Sequence, residues 1–395
     1  MEKIEFVNDE IVKNISSDVY TGKTGITFNY KGDERILNNN YHTLVISEDD
    51  LQKQEKIMPP LFKQIRKAGQ SFIINDKSGI LYKKFSEDFK KTGYEVICLN
   101  LDNPVNSDSF NILELSYNLY KDGNIDKALE ILENAGYYIL YEKQEKSVDP
   151  FWINSATNFF VGCTLYMFEN EKDISLNKIL ELTDKLRKED IKEGSIIYTY
   201  LSGILLAPND TKGSILSVFK QKFNKYVSKA KLSSILSNSN FDLKKITKGE
   251  MAIFIIEGAS EVSSNIVSLI TNQIYHICNI YGNENKINII LDNFDTVAPI
   301  KSVESLLSLC SSLNITITSF IKNFTSLNNL YGKETGENLK IYFKNMIYLY
   351  SNDTSTLEYI SRVCGSLEYM GELRNLKENE ALFILIRNNP FIVNI

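Results

Sequence analysis

INIILDN, residues 287–293, is a mostly apolar, β-branched run that ends in a polar pair. A run without polar alternation is typical of a strand buried on both faces, as in a parallel sheet. Other short runs of similar character recur along the chain, and most are separated by helical patterns. They are Thr43–Ile46, Phe72–Ile74, Val96–Leu99, Ala252–Ile256, Ile315–Thr318, Met346–Tyr350 and Leu382–Ile386. This order of strands and helices predicts α/β crossovers and a mainly parallel sheet flanked by helices.

The middle of the chain has a different pattern. Between residues 111 and 240, apolar residues recur at helical spacing and no strand is predicted. One stripe begins at Ile125, and Ser175 is placed to cap a later helix. We therefore predict an all-helical domain, residues 111–240, inserted into an α/β core made of residues 1–110 and 241–395.

The amino-acid composition argues against several classes of protein. The chain has 44 lysine and arginine residues against 50 aspartate and glutamate residues, and its net charge is −6. This balance argues against a surface that is basic overall, as many nucleic-acid-binding proteins have. No apolar run reaches the roughly 18 residues of a membrane-spanning helix, and the acidic N-terminus is unlike a secretory signal. Five cysteines without a CxxC pair and two histidines cannot supply a zinc spacing, so we expect a cytoplasmic protein with reduced thiols.

Four blocks of sequence occur in a characteristic order. The first spans residues 41–76, the second 93–111, and the third is DPFW at 149–152. The fourth begins with IILDNF at 289–294 and ends near Gly365. In this order they resemble the cytoplasmic ATPase of type IV secretion coupling proteins, the TraG/TraD group of conjugation.

The resemblance implies a fold, an activity and a set of partners. The fold is a RecA-like P-loop NTPase-type core with an inserted all-helical domain. Family members are hexameric, membrane-anchored ATPases that pump DNA of mobile genetic elements towards a secretion channel, and their partners are relaxosome and type IV secretion proteins. The anchor precedes the motor in the family, whereas this sequence begins almost directly at the cytoplasmic part. We therefore expect a cytoplasmic chain that reaches the inner face of the membrane through partners.

The family's phosphate-binding loop falls on SEDDLQKQ, residues 47–54. A working loop needs glycines, whose backbone N–H groups wrap the phosphates, followed by a lysine and a hydroxyl for magnesium. Here the glycines are missing, Gln54 replaces the hydroxyl, and the acidic run 48–50 occupies the phosphate cradle. Each like-charge contact at about 4 Å would cost about 1–4 kcal/mol. Lys53 keeps the lysine position, but we expect it to be a solvated helix residue, and we predict that no nucleotide cofactor binds.

The rest of the nucleotide site is also altered. Asp292 keeps the position of the family's magnesium-shell carboxylate; it is a metal candidate only if magnesium binds, and is otherwise a strand-end aspartate that caps a loop. Asn293 stands where the family has the glutamate that activates water, and an amide cannot accept that proton. Lys322 replaces a glutamine sensor, and the motif around Asp76 is changed. We therefore predict a pseudo-ATPase whose vestigial nucleotide site comprises Lys53, Asp76, Asp292, Asn293 and Lys322.

Three functional hypotheses follow. The favoured one is a scaffold or regulatory subunit that binds the relaxosome, a secretion substrate or an active paralogue, in a homo- or hetero-oligomer. Alternatively, Lys53 and Asp292 serve an active DNA-translocating ATPase with an unorthodox loop. In the third hypothesis the chain is a DNA-binding module that has lost its motor, with Lys220, Lys222 and Lys225 as candidate contacts between aromatic residues. The same pattern also describes the amphipathic face of an ordinary helix.

Overall fold

The computed structural model describes residues 4–19, 24–143 and 149–395. These residues form one twelve-stranded sheet. In chain order the strands are β1 (Ser16–Asp18), β2 (Thr27–Tyr30), β3 (Asp33–Leu37), β4 (Thr43–Ser47), β5 (Ser71–Asp76), β6 (Glu95–Asn100), β7 (Met251–Ile256), β8 (Ile287–Leu291), β9 (Ile315–Ile321), β10 (Asn345–Tyr350), β11 (Glu380–Leu385) and β12 (Phe391–Asn394). Their order across the sheet is β1-β3-β2-β12-β11-β10-β4-β9-β8-β5-β7-β6.

The centre of the sheet is parallel, as predicted. Strands β10, β4, β9, β8 and β5 are neighbours in that order, and each pair runs parallel. Every residue of β4, β5 and β8 is buried, which agrees with their continuous apolar sequences. All eight predicted runs correspond to strands, β4 to β11, and the predicted α/β class is confirmed.

An antiparallel flank at one edge was not predicted. Strands β1, β3, β2, β12, β11 and β10 pair in antiparallel fashion. The β2–β3 hairpin turns at Lys31 and Gly32, which both have positive φ, as a two-residue turn of the favoured hand requires. Short strands with charged residues, such as β3, carry too little apolar pattern to be recognised in the sequence.

Helices connect the strands and fill the middle of the chain. They are α1 (Asp9–Ile15), α2 (Asp50–Gln52), α3 (Met58–Lys67), α4 (Ile80–Lys91), α5 (Glu114–Lys121), α6 (Ile125–Leu140), α7 (Pro150–Asn170), α8 (Leu176–Lys185), α9 (Ile196–Leu205), α10 (Asn209–Val227), α11 (Ala230–Ser237), α12 (Glu261–Tyr281), α13 (Val303–Cys310), α14 (Phe324–Tyr331), α15 (Lys333–Tyr342), α16 (Thr354–Val363) and α17 (Met370–Arg374). A π-helical segment, Lys53–Ile57, joins α2 to α3. None of the described helices is both long enough and apolar enough to cross a bilayer.

The described residues pack as two compact units. The first contains Met1–Ile97, Lys244–Ile255 and Ile277–Ile395, and the second contains Cys98–Leu243 and Ile256–His276. Within the second unit, residues 111–143 and 149–240 form helices α5 to α11 and no strand, which confirms their predicted helical character. This unit extends beyond the predicted domain on both sides, so the boundaries at 111 and 240 stay a prediction.

Each unit has its own apolar core. In the first unit, one face of the sheet packs against helices through residues such as Phe62 and Phe72. In the second unit, residues 159–165 of α7 are all buried, and α7 meets α9 where Gly162 faces Leu201. Ser175 caps α8 as predicted, since its hydroxyl accepts a hydrogen bond from the backbone N–H of Lys178 at 3.3 Å.

Candidate functional site

The predicted site residues lie at the carboxyl edge of the parallel strands. Strand β4 ends at Ser47 and leads into α2, while β8 ends at Leu291 and is followed directly by Asp292 and Asn293. Both strands pair with β9, one on each side of it. Because parallel strands point the same way, their carboxyl ends lie close together at one edge of the sheet.

Lys53 is at the centre of this site. Its ammonium lies 2.8 Å from Oδ1 of Asp50 and 2.7 Å from Oδ1 of Asp292, and it donates to Oδ1 of Asn293 at 3.0 Å. Only 2% of its surface is exposed. The expectation of a solvated helix residue is therefore wrong, because the start of the π-helical segment directs this side chain towards the end of β8 rather than towards water.

The charges around Lys53 keep it protonated. Burial acts to lower the pKa of Lys53, but the charge of Asp292 and the hydrogen bonds to Asp292 and Asp50 outweigh it, so the pKa is raised. Burial raises the pKa of Asp292, and the attraction of Lys53 opposes that shift. The result is a buried ammonium bound to two carboxylates and an amide oxygen.

The first two acids of the loop are also engaged in internal contacts. Oδ1 of Asp49 accepts from the backbone N–H groups of Leu51 at 2.9 Å and Gln52 at 3.2 Å, so it caps the helical stretch that continues to Lys67. These are the donors that a helix N-terminus offers to a phosphate. The carboxylate of Glu48 accepts from Asn323 Nδ2 at 2.9 Å, Ser351 Oγ at 2.9 Å and the backbone N–H of Asn352 at 3.0 Å. It thereby ties the end of β4 to the chain beyond β9 and β10.

Asp76 and Lys322 have contacts of their own. Asp76 accepts from the backbone N–H groups of Gly79 at 2.9 Å and Tyr82 at 2.8 Å, so its carboxylate satisfies two donors at the start of α4. Burial raises its pKa, against those hydrogen bonds. The side chain of Lys322 is exposed, and its backbone N–H donates to Oδ2 of Asp295 at 2.9 Å. Of the five predicted residues, the direct contacts therefore unite Lys53, Asp292 and Asn293.

Sequence reasoning missed two residues that complete this edge. The amide of Asn75 pairs with the backbone of Asp292, donating to its carbonyl at 2.6 Å and accepting from its N–H at 2.7 Å. Asp295 is buried, burial raises its pKa, and its Oδ1 has no hydrogen-bond partner within the described residues. The spacing DNFD at 292–295 is a sequence signal for a second buried carboxylate. Asn293 between them has φ of 61°, a left-handed conformation that asparagine tolerates.

The basic segment on α10 lies in the second unit. Lys220 pairs with Asp184 at 2.7 Å, and Lys222 and Lys225 both pair with Glu142. Lys222 is only 3% exposed. The interleaved aromatic residues are core residues with no face open to a base: Phe219, Phe223 and Tyr226. The nucleic-acid contact stays a prediction, but its positive charges are already neutralised by acidic neighbours.

The described residues contain no cluster of metal-binding side chains, and His42 is buried. Across 4–19, 24–143 and 149–395, no three histidine, cysteine, aspartate or glutamate side chains are grouped to hold a metal ion. His42 is a packed residue, whose Nε2 donates to the carbonyl of Leu307 at 2.9 Å and whose Nδ1 accepts from the N–H of Ile317 at 3.0 Å. Burial lowers the pKa of His42, which keeps it neutral.

Comparison with known protein families shows which family the chain belongs to. Residues 57–370 match the model of the family described as type IV secretory system conjugative DNA transfer. The chain belongs to this family. A search of curated proteins finds no match.

Solved structures share the fold of this family member at low sequence identity. The unbound bacterial conjugative coupling protein TrwBdeltaN70 matches with a TM-score of 0.72 and 12% identity, over 100% of this chain and 93% of its own. TrwB in complex with ADP and Mg²⁺ matches with a TM-score of 0.70 and 13% identity, over 100% and 94%. VirB4 of Thermoanaerobacter pseudethanolicus matches with a TM-score of 0.64 and 12% identity, over 96% and 98%. The fold is therefore RecA-like and of the P-loop NTPase type, as predicted.

Proposed function

We propose that this chain is a catalytically inactive coupling-protein homologue of conjugative DNA transfer that acts as a scaffold or regulatory subunit. The observation that carries the proposal is the set of bonds made by Lys53. The ammonium in the phosphate-binding position is bonded to Asp50, Asp292 and Asn293 within its own chain. A nucleotide phosphate would have to displace these partners in order to bind the ammonium.

A magnesium nucleotide does not fit the residues at this edge. TrwB holds ADP and Mg²⁺ in one of the matching structures. Here residues 47–54 contain no glycine, and Gln54 stands in place of the magnesium-binding hydroxyl. The carboxylate of Asp49 already accepts from two N–H groups of the helix N-terminus. A phosphate would have to displace the carboxylate of Asp49 and lie beside the carboxylates of Glu48 and Asp50.

Energetics favour the internal bonds over a bound nucleotide. Breaking a buried ion pair by removing one partner costs about 3–5 kcal/mol. Placing phosphate charges beside Glu48 and Asp50 adds about 1–4 kcal/mol for each close contact. One binding interaction with Lys53 does not offset these terms. Even a nucleotide that entered would meet Asn293, whose amide cannot take a proton from the attacking water.

The negative net charge of the second unit favours a protein partner over DNA. The second unit carries 16 lysine and arginine residues against 22 aspartate and glutamate residues, so it accounts for the whole net charge of −6. A negatively charged surface repels the phosphate backbone and attracts basic protein segments. The partners that family membership suggests are relaxosome proteins, type IV secretion proteins and an active paralogue.

Isothermal titration calorimetry with ATP and magnesium tests the inactive site directly. The wild-type chain and an Asp292→Ala variant should both give no binding heat up to millimolar nucleotide. Micromolar binding by the wild type that is lost in the variant would overturn the proposal and favour an active ATPase. Magnesium-dependent hydrolysis in mixtures with an active paralogue, lost with Asp292→Ala, would do the same.

Co-purification from the native host tests the scaffold role. A tagged chain should recover identified relaxosome or type IV secretion proteins, and the recovery should not change when ATP is depleted. Recovery of none of these components would count against the role. Salt-sensitive DNA binding that is abolished when Lys220 and Lys225 are reversed in charge would instead favour the DNA-binding hypothesis.

A further inference from the structure

Two helices of the first unit, α3 and α4, carry a concentration of positive charge. Outside the buried residues Lys53 and Asp76, residues 53–91 contain nine lysine and arginine residues against three acidic residues. The first unit as a whole has equal numbers of acidic and basic residues, so this segment is far more basic than the rest of the unit. We call residues 56–67 and 77–91, which comprise both helices and the residues just before them, the basic surface. Its lysines are all exposed: Lys56, Lys63, Lys67, Lys77, Lys83, Lys84, Lys90 and Lys91.

The two helices pack side by side on one apolar core. The ring of Phe62 on α3 lies 4.9 Å from that of Phe85 and 6.1 Å from that of Phe89, both on α4. Because these rings pack in the core, the charged residues of both helices lie on the opposite, outer side. An ion pair of 3.5 Å between Arg66 and Asp88 joins the helices there. The basic surface is therefore one continuous layer, built from helices about 15 and 18 Å long.

Acidic neighbours neutralise only part of this charge. Glu87 pairs with Lys90 at 2.9 Å, and Glu34 on β3 pairs with Lys63 at 3.2 Å. Four lysines of the basic surface make no side-chain hydrogen bond or ion pair within the part of the chain that the structure describes: Lys56, Lys77, Lys83 and Lys91. Exposed like charges in one layer repel one another, and an anionic partner relieves that repulsion.

An exposed apolar side chain lies among these charges. Ile80, the first residue of α4, is 51% exposed. Lys83 and Lys84 follow it by three and four residues, so they are its neighbours on the helix surface. Lysines beside an exposed apolar residue on the outer side of a helix are typical of proteins that bind the surface of an anionic membrane. The lysines supply electrostatic attraction, and the apolar side chain enters the boundary between headgroups and acyl chains.

The residue types of the basic surface favour a lipid membrane over a nucleic acid. Its one arginine, Arg66, is already paired with Asp88, whereas bidentate binding of a phosphate or a base uses a guanidinium group. The rings of Tyr82 and Phe85 pack against the apolar core, so they are not open platforms on which bases could stack. The remaining cations are lysines, which act as point charges and suit a membrane that offers a field of negative charge.

We propose that the basic surface binds directly to an anionic phospholipid membrane, with its lysines over the headgroups and Ile80 inserted between them. Each lysine close to such a membrane strengthens binding about fivefold. The contact uses neither the nucleotide site nor a protein partner, so it does not depend on the proposed scaffold role.

Co-sedimentation of the full chain with lipid vesicles tests the proposal. The wild type should bind vesicles that contain phosphatidylglycerol and should not bind vesicles of phosphatidylcholine alone. Binding should weaken with salt, because the screening length falls from about 10 Å at 0.1 M to about 3 Å at 1 M. The double substitution Lys83→Gln and Lys91→Gln should lower the partition coefficient about 25-fold. The matched control, Lys229→Gln with Lys231→Gln at two exposed lysines of the second unit, should leave it unchanged.

Ile80→Ser distinguishes a membrane from other anionic partners. It changes no charge, so it should lower vesicle binding about fivefold and leave the salt dependence as it is. All the substituted residues are exposed, so the variants should unfold at the wild-type temperature. No binding to phosphatidylglycerol vesicles at low salt, or equal binding by the wild type and the variant with Lys83→Gln and Lys91→Gln, would overturn the proposal. Binding to double-stranded DNA that this variant weakens, without binding to vesicles, would overturn it in favour of a nucleic-acid surface.

Discussion

The ammonium of Lys53 lies 2.7 Å from Oδ1 of Asp292, and the two side chains are 2% and 3% exposed. This pair joins the helical stretch after β4 to the end of β8, the two segments that hold a nucleotide between them in P-loop proteins. In this chain the two segments are joined directly, by an ion pair between their own side chains.

Removing Lys53 should strongly destabilise the first unit. Lys53→Met leaves Asp292 buried without its counter-charge, so we expect a loss of about 3–5 kcal/mol in the free energy of unfolding. Adding Asp292→Leu to this variant should recover part of the loss, because the unpaired charge is then gone. Urea unfolding of the wild type, both single variants and the double variant gives the coupling energy. Lys56→Met is the exposed control, and a coupling energy near zero would contradict a buried ion pair.

The cap formed by Asp49 should have a smaller and more local effect. Asp49→Ala removes the acceptor for the N–H groups of Leu51 and Gln52, and should cost about 0.5–2 kcal/mol. Asp49→Asn should restore most of it, since asparagine is as good a cap. Amide hydrogen exchange of residues 50–53 should become faster in the alanine variant only. Unchanged exchange there would mean that the cap does not hold the start of this helix.

The sequence predicted the buried centre of the sheet better than its edge. Continuous apolar runs such as 287–291 identify a strand by themselves, because burial on both faces admits few polar residues. Strand β12 and the β2–β3 hairpin are short, and they form because they pair with neighbouring strands. Their own sequences contain no pattern that would predict them. Such strands become visible only when the tertiary structure is known.

The candidate site was likewise predicted only in part. Lys53, Asp292 and Asn293 were chosen as site residues because the sequence blocks that contain them resemble the coupling-protein family. The burial of Lys53 was not predicted, because it depends on a π-helical turn that no residue type specifies.

Lys286 should make stability depend on pH in a measurable way. Its pKa is lowered from 10.5 to about 8 in the folded chain, so the unfolded chain binds more protons between these two values. The stability contributed at this position should therefore rise with pH from about 8 to 10.5, by about 3 kcal/mol in total. The measurement is the difference in free energy of unfolding between the wild type and Lys286→Met at each pH. A difference that stays constant would contradict the lowered pKa.

The contact between Gly162 and Leu201 should limit substitution in the second unit. A Cβ added at Gly162 would lie far inside contact distance of Cγ of Leu201, so Gly162→Ala must displace that side chain. We expect a loss of about 1–3 kcal/mol, the usual cost of overpacking a core. Gly203 on the same helix as Leu201 has open space around its Cα, and Gly203→Ala should stabilise α9 by about 0.5–1 kcal/mol. Thermal unfolding of the two variants should therefore shift in opposite directions, and a stabilising Gly162→Ala would show that α7 and α9 do not pack this closely.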